Sequence, residues 1–469
     1  MTDLNQKKEP ISPETNEDIE RSLYKKHEKI YPREVHGIFA DLQIIAGSLL
    51  LGIYYGTPWL RWDERQAILF DLPSRKFYLF GTIFWPQDAI FLASLLIIAG
   101  LSLFFFTALA GRLWCGYACP QTVWTNVFLW IERIVEGNRI KQMRLDKSPL
   151  SISKFRIKVT KHFIWIIFSL FTGITFVSYF VPANELWAKI VTLSLGPWAT
   201  FWVLFYGFAT YGNAGWLREQ VCLYMCPYAR FQSAMFDEDT LIVSYDRNRG
   251  EPRGSRRPGF DHRREGMGDC IDCKLCVNVC PTGIDIRNGL QYECIGCSAC
   301  IDVCNDVMAK MRYPTGLIRY TTESILKGRT PRILRPRIVL YGSILLLLAV
   351  ILCVSIIQRI PLQLDVIRDR NQLYRETAGL IENVYTLKIL NMDDKNHEYI
   401  LRAEGIPGLV LDYDADTINV DAGKVIDLPV RIRVDEDSLE SRSNNIGFIL
   451  TAEDNPQLTI TEPARFLGP

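Results

Sequence analysis

Apolar residues are concentrated in five long runs along the 469-residue chain, and each run carries almost no charge. An α-helix needs about 20 apolar residues to cross a bilayer, which is the length of these runs. The core of a soluble protein rarely needs five such runs. The pattern therefore predicts a membrane protein with a bundle of five transmembrane α-helices. The predicted spans are residues 37–57, 87–110, 160–181, 190–211 and 338–358.

Lysine and arginine are frequent before the first predicted span and in the loop after the second. By the positive-inside rule both segments face the cytoplasm. Five spans then place residues 212–337 in the cytoplasm and residues 359–469 on the opposite side of the membrane.

The exported segment has a different pattern, with apolar and polar residues alternating in short stretches between Gly, Pro, Asp and Asn. A period of two is typical of half-buried β-strands. Six or seven short strands favour a small β-sandwich, immunoglobulin-like and without a disulfide, because the segment contains no cysteine. The strand candidates are 383–390, 398–404, 408–412, 425–434, 446–452 and 457–461.

Composition supports the membrane assignment, with 48% hydrophobic and 12% aromatic residues. The net charge of +1 gives no reason to expect a nucleic-acid partner. Residues 1–34 are polar and charged and lack the apolar stretch of a cleaved signal peptide. The arginine-rich stretch 246–264 predicts a flexible basic linker, with binding of lipid headgroups or of an acidic electron donor as alternatives.

These patterns divide the chain into five units. They are a cytoplasmic tail (1–36), a four-helix transmembrane unit (37–211), a cytoplasmic region (212–337) with a ferredoxin-like domain at about 260–315, a fifth transmembrane helix (338–358) and an exported β-sandwich (359–469).

Eight of the 13 cysteines form two near-copies of one motif in the cytoplasmic region. The copies are Cys270-x2-Cys273-x2-Cys276-x3-Cys280-Pro281 and Cys294-x2-Cys297-x2-Cys300-x3-Cys304-Asn305. This spacing is typical of bacterial ferredoxins with two [4Fe-4S] clusters, in which the fourth cysteine of each motif ligates the other cluster. Structural zinc needs longer gaps between cysteine pairs, and a cytoplasmic face disfavours disulfides.

The predicted ligand sets are therefore crossed between the two motifs. Cluster one would take Cys270, Cys273, Cys276 and Cys304, and cluster two would take Cys294, Cys297, Cys300 and Cys280. Asn305 stands where many ferredoxins have proline, but proline is not a ligand, so ligation should survive.

Four further cysteines form two Cys-x3-Cys-Pro motifs, Cys115/Cys119 and Cys222/Cys226, each after a pair of predicted spans. The first cysteines of the two motifs are 107 residues apart, and so are the second cysteines. This constant offset indicates a duplicated membrane unit whose motifs converge at one face. Four thiolates favour a soft ion such as copper(I). Packing, a structural metal and a thiol–disulfide relay are the alternatives.

The remaining candidate residues carry less chemistry. The five histidines are not placed to ligate haem within a span, which argues against a cytochrome. Cys353 lies within the fifth span without a partner in sequence, where a thiol packs as a small hydrophobe.

The combination resembles a known family, the cytochrome c oxidase accessory proteins called CcoG, FixG or RdxA. The resemblance extends over nearly the whole chain. It is carried by the order of spans, insert and β-domain, by the stretches 65–78 and 84–88, and by Arg112–Trp124 and Cys222–Arg230.

The resemblance implies a bacterial inner-membrane protein that assists assembly of a cbb-type cytochrome c oxidase, with oxidase subunits or copper chaperones as partners. It further implies reduction of copper(II) to copper(I), with Cys115, Cys119, Cys222 and Cys226 as catalytic copper ligands.

Three functions follow from the sequence. The first is a membrane cupric reductase for oxidase assembly, fed by an electron donor that the sequence does not identify. The second is a quinol-oxidising membrane ferredoxin, and the third is an assembly scaffold without enzymatic activity. Copper reduction by the reconstituted protein, bleaching of the clusters by a quinol, and removal of residues 359–469 distinguish the three.

Overall fold

The computed structural model describes residues 29–63, 65–259, 264–369, 372–377, 379–414 and 417–469. Most of the predicted N-terminal tail, and residues 260–263 of the predicted basic linker, lie outside the described residues. In chain order the α-helices are α1 Ile38–Gly56, α2 Ala89–Ala110, α3 Leu113–Tyr117, α4 Pro120–Glu136, α5 Arg139–Lys147, α6 Ile152–Val177, α7 Ala183–Val191, α8 Pro197–Thr210, α9 Pro227–Met235, α10 Arg247–Gly250, α11 Leu275–Val279, α12 Ala299–Met311, α13 Glu323–Leu326 and α14 Pro336–Ile357.

Among the described residues, four helical segments are long and apolar enough to cross a membrane. They are Ile38–Trp59, Pro86–Ala110, Ile152–Val177 and Pro336–Ile357. These segments correspond to the first, second, third and fifth predicted spans. The third begins earlier than predicted because Ser151 caps it, accepting a hydrogen bond from the backbone N–H of Lys154.

The fourth predicted span, residues 190–211, does not form one long α-helix, so the bundle of five is not confirmed. The chain ends α7 at Val191 and starts α8 at Pro197, the first residue of a helix of 14 residues. Proline lacks the N–H needed inside a helix and disfavours helical geometry in the residue before it, which explains the break. Tyr211–Leu217 then continues as a π-helical segment.

Helices α6 and α8 pack closely through glycine. A Cβ on Gly173 would overlap the carbonyl of Val203, and one on Gly207 would lie 3.2 Å from Cδ2 of Leu170. Small residues let the backbones of membrane helices approach each other in this way. A second contact joins α14 to α2.

The β-strands fall into three regions of the chain. They are β1 Arg61–Trp62, β2 Arg65–Gln66, β3 Ile68–Asp71, β4 Lys76–Leu79 and β5 Thr82–Phe84 between α1 and α2; β6 Ile242–Tyr245 and β7 Ile318–Thr321 around the insert; and β8 Leu362–Arg368, β9 Arg375–Thr377, β10 Leu380–Asn391, β11 His397–Glu404, β12 Val410–Tyr413, β13 Ile418–Val420, β14 Val425–Asp435, β15 Ser443–Ala452 and β16 Thr459–Leu467 at the C-terminus. All pairings are antiparallel.

The ferredoxin-like insert has its own core beneath the β6–β7 pair. Val243, Ile301, Met308 and Ile318 are buried there, together with two of the motif cysteines, Cys270 and Cys276. The described part of the basic linker folds onto this insert and does not form a free linker. Arg249 donates a 2.5 Å hydrogen bond to Asp269 and further bonds to two backbone carbonyls of the insert.

The C-terminal β-sandwich is confirmed. One sheet has the order β12-β14-β10-β8, with β9 also paired to β10, and the other has the order β13-β11-β15-β16. Alternate residues of β14, Val430, Ile432 and Val434, are fully buried between the sheets. The ring of Tyr385 packs edge-on against Phe448 across the core.

The sandwich docks on the β3–β5 sheet, at the end of the helices opposite the insert. Ile83 and Trp85 form a small buried cluster with Leu390 and Met392. The insert instead contacts the start of α1, where the backbone N–H of Ala40 donates to Asp302. The cysteine motifs and the sandwich thus lie at opposite ends of the helices.

Candidate iron–sulfur and thiol sites

The first predicted cluster ligands line one small cavity. Cys270, Cys273 and Cys276 come from the first motif and Cys304 from α12 of the second. This grouping is the crossed ligand set that the spacing predicts.

A second cavity is lined by the other predicted set, Cys280, Cys294, Cys297 and Cys300. Cys276 lines this cavity as well as the first, so it lies between the two groups. Apolar side chains of the insert, Val243 among them, close the cavity.

The two motifs share one backbone conformation. Asp272 and Lys274 flank Cys273 with φ of 52° and 55°, and the equivalent Gly296 and Ser298 flank Cys297 with φ of 68° and 62°. Left-handed residues are uncommon outside glycine. These left-handed residues curve each loop so that its three cysteines face one centre. Each loop then leads into a helix, α11 or α12.

The departure at Asn305 has a structural reason. The first motif ends with Cys280 and Pro281 after α11 stops, whereas Cys304 and Asn305 lie inside the 13-residue α12. A proline there would interrupt the helix. Asn305 also accepts a 2.9 Å hydrogen bond from the backbone of Gly316, which fixes the loop after α12.

The burial of four of these thiols fits iron–sulfur ligation, whereas Cys273 is exposed. Burial raises the pKa of Cys276, Cys297 and Cys304 to about 12, and that of Cys300 well above its usual value. Thiols in such surroundings become thiolates only when a cation is bound. No group of three or more His, Cys, Asp or Glu among the described residues is arranged to hold a single metal ion.

The other four cysteines, here called the paired thiols, are Cys115, Cys119, Cys222 and Cys226. Cys119 and Cys226 each precede a proline that is the first residue of a helix, α4 or α9. Proline is favoured at the first position of a helix because an N–H group there has no partner within the helix, so its absence costs nothing. The duplicated motif therefore has the same local role in both copies.

The two motifs pack against each other. The Gln232 side chain on α9 places Nε2 3.4 Å from Sγ of Cys115, and Arg112 donates a 2.7 Å hydrogen bond to the carbonyl of Ala229. Burial raises the pKa of Cys115 to about 11 and that of Cys222 to about 12. The charges of Cys119 and Cys226 raise the pKa of both thiols further.

The paired thiols adjoin the predicted second cluster. A Cβ on Gly116 would lie 2.7 Å from the carbonyl oxygen of Gly296 and 3.1 Å from Cα of Cys297. The Tyr320 hydroxyl donates a 3.0 Å hydrogen bond to the same carbonyl. The backbone next to Cys115 therefore touches the backbone next to Cys297.

A buried ion network, which sequence reasoning missed, holds the segment before Cys222. Arg218, Lys161 and Lys29 all bond to Glu132 of α4. Burial alone would raise the pKa of Glu132, but the charges of Arg218, Lys29 and Lys161 lower it to about 2. The only sequence signal was a set of charged residues near apolar runs.

A cavity of about 540 Å³ lies between α1, α4 and the insert. Cys222 of the paired thiols and Cys297 of the second cluster set both line it. No motif or spacing in the sequence predicts this cavity.

Comparison with curated proteins identifies the family. The chain is 39% identical over 478 aligned residues to the nitrogen fixation protein FixG of Rhizobium meliloti, covering 92% of this chain and 91% of that protein. The chain belongs to the FixG family.

Two further relatives come from Cereibacter sphaeroides. Protein RdxA is 42% identical over 82% of this chain and 84% of its own, and protein RdxB is 41% identical over 87% and 88%. A crystal structure of a FixG-related protein from Vibrio parahaemolyticus is 42% identical, covers 23% of this chain and 95% of that one, and has a TM-score of 0.21.

Family models match three regions of this FixG-family chain. A 4Fe-4S dicluster domain matches residues 217–323, and the immunoglobulin-like fold at the C-terminus of FixG matches residues 352–469. The resemblance seen in the sequence is thus confirmed, and the matches support two [4Fe-4S] clusters. A 4Fe-4S binding domain also matches residues 91–137, which contain Cys115 and Cys119.

Proposed function

We propose that this FixG-family protein is a membrane cupric reductase that serves assembly of a cbb-type cytochrome c oxidase. Its two clusters would occupy the crossed ligand sets, and copper(II) would bind at the paired thiols. The assembly role, with oxidase subunits or copper chaperones as partners, follows from the family resemblance. The proposed setting is a bacterial inner membrane, with the clusters on the cytoplasmic side and the β-sandwich in the periplasm.

The observation that carries the proposal is the backbone contact of Gly116 with Gly296 and Cys297. It joins a group of soft ligands to the loop of an electron-carrying cluster. Thiolates stabilise copper(I) over copper(II), which favours electron transfer toward bound copper. A reduced cluster loses one electron, and one copper(II) ion gains it.

Anaerobic copper reduction by the reconstituted protein tests this proposal. After chemical reduction of the clusters, copper(II) is added and copper(I) is followed with a chromogenic chelator. Replacement of all four paired thiols by serine should abolish the fast phase and leave the cluster spectrum intact. Cys353→Ser is the matched control, because Cys353 is an exposed thiol on α14. Normal copper reduction by the fourfold variant would reject the copper site.

The match of a 4Fe-4S binding domain to residues 91–137 favours a second candidate, in which the paired thiols ligate a third cluster. Iron analysis separates the two. Two clusters give about eight irons per chain and three give about twelve. The fourfold serine variant keeps its iron in the first case and loses about a third in the second.

A further inference from the structure

The 540 Å³ cavity is lined by apolar residues and by polar and charged ones. Toward the outside of the bundle it is lined by apolar residues of α1 and α4, including Ile44, Leu51 and Trp130. Ile44 and Trp130 are exposed on the surface of the bundle, where lipid would lie. At the inner end the lining contains Gln43, Gln121 and the cysteines described above.

Backbone contacts fix the polar end. The amide nitrogen of Gln43 donates a 2.7 Å hydrogen bond to the carbonyl of Gly116, and that of Gln121 donates a 2.9 Å bond to the carbonyl of Asn213. Each bond orients the amide and leaves its Oε1 as an acceptor for a hydroxyl group. Arg218 lies beside them, held by Glu132.

The inner end also meets the redox groups. Cys297 and Cys222 both line this cavity, so a molecule bound there would contact the second cluster set and the paired thiols together. A copper ion on its way to the paired thiols would need neither this volume nor the apolar outer wall. The dimensions suit a small organic molecule with an apolar tail, since such ligands occupy pockets of about 300–1,000 Å³.

We propose that this cavity binds the head of a membrane hydroquinone, which donates electrons to the second cluster. The inference rests on the proposed placement of that cluster at Cys297 and is independent of copper. The two hydroxyls would bond to the side-chain oxygens of Gln43 and Gln121, and the tail would leave between α1 and α4.

Oxidation of one hydroquinone to the quinone breaks two O–H bonds and releases two electrons and two protons. The electrons pass one at a time to the second cluster, which is reoxidised by the first cluster or by copper(II). Glu34 and His36 line the cavity and are exposed, so they can pass the protons to water.

Decylubiquinone binding to the full-length protein in nanodiscs tests the site. Gly47 lines the cavity, and a Cβ there would have its nearest contact at 3.9 Å from Val123. Gly47→Phe therefore has room for its Cβ and should place its ring in the cavity. Gly52 on the same helix has no atom within 4 Å and is outside the lining, which makes Gly52→Phe the matched control. We expect Gly47→Phe to weaken binding by about tenfold or more and Gly52→Phe to leave it unchanged.

Anaerobic bleaching of the clusters by decylubiquinol is the second readout. The wild-type protein and Gly52→Phe should bleach, and Gly47→Phe should not, while all three keep the same iron content and reduce copper equally after dithionite treatment. Absence of decylubiquinone binding, equal binding by the two glycine variants, or displacement by the ringless decanol would overturn the proposal. Failure of copper reduction alone would reject the proposed function and leave the hydroquinone site standing.

Discussion

Nη2 of Arg218 donates a 2.7 Å hydrogen bond to Oε2 of Glu132, and the exposed fractions of the two side chains are only 9% and 2%. The bond joins the helix that follows the first Cys-x3-Cys-Pro motif to the turn that precedes the second. Arg218 has a left-handed backbone, with φ of 43°, and its carbonyl accepts a hydrogen bond from Gln121. The pair therefore sets where Cys222 lies relative to Cys119.

Glu132→Gln should destabilise the protein strongly. The variant leaves the guanidinium of Arg218 buried without its carboxylate partner, whereas Lys161 keeps its ion pair with Glu136 at 2.8 Å. Breaking a buried pair on one side costs about 3–5 kcal/mol. Thermal unfolding in detergent measures the loss. Glu185→Gln is the matched control, because its pair with Lys189 is exposed and contributes about 0–1 kcal/mol. Equal unfolding temperatures for the two variants would contradict the role given to the network.

The stabilisation from Glu132 should depend on pH in one direction. Its pKa is lowered from 4.5 to about 2 in the folded protein, so its contribution is complete above about pH 4.5 and is lost as the pH falls toward 2. The difference in unfolding temperature between wild type and Glu132→Gln should be constant from pH 7 to pH 5 and shrink below pH 4.5. A difference that already shrinks between pH 7 and pH 5 would contradict this assignment.

The contact between Gly116 and Gly296 predicts a variant that separates the two redox sites. Gly116→Val places a side chain where the carbonyl of Gly296 lies 2.7 Å away, so the helix and the cluster loop must move apart. Overpacking of this kind costs about 1–3 kcal/mol. We expect slower copper reduction with unchanged iron content.

Gly100→Val on α2 is the control for this variant, since a Cβ on Gly100 would have no atom within 4 Å. It should reduce copper at the wild-type rate. If Gly116→Val reduced copper as fast as Gly100→Val, electrons would have to leave the clusters by another route.

The sequence predicted those features that depend on residues near one another in the chain. Continuous apolar runs predicted α1, α2, α6 and α14, and cysteine spacing predicted the grouping of thiols around two cavities. The span at 190–211 is not confirmed for a reason that is also local, because Pro197 interrupts a run that is apolar enough for a span. In the sandwich, β8, β9 and β13 were missed, whereas the alternating β14 was predicted to within one residue.

Features that depend on distant residues could not be predicted where no repeated motif links the residues. Glu132 and Arg218 are 86 residues apart, and neither has a motif that selects its partner. The large cavity combines α1, α4 and the insert, so it exists only once the three have packed. The contact of Gly116 with Gly296 likewise requires the insert to fold back against α3.

Docking of the β-sandwich should depend on the pair of Arg359 and Asp88. Arg359 donates hydrogen bonds of 2.9 and 2.6 Å to the two carboxylate oxygens of Asp88, and the exposed fractions are 11% and 9%. Bidentate pairs of this type are strong and directional.

Arg359→Ala leaves the carboxylate of Asp88 without this partner, at a cost of about 3–5 kcal/mol. The sandwich should then separate from the β3–β5 sheet and be cut faster from the membrane unit in limited proteolysis. Arg375→Ala is the control, because Arg375 lies 3.9 Å from Asp369 and is half exposed. Equal cleavage rates for the two variants would show that the apolar cluster alone holds the sandwich.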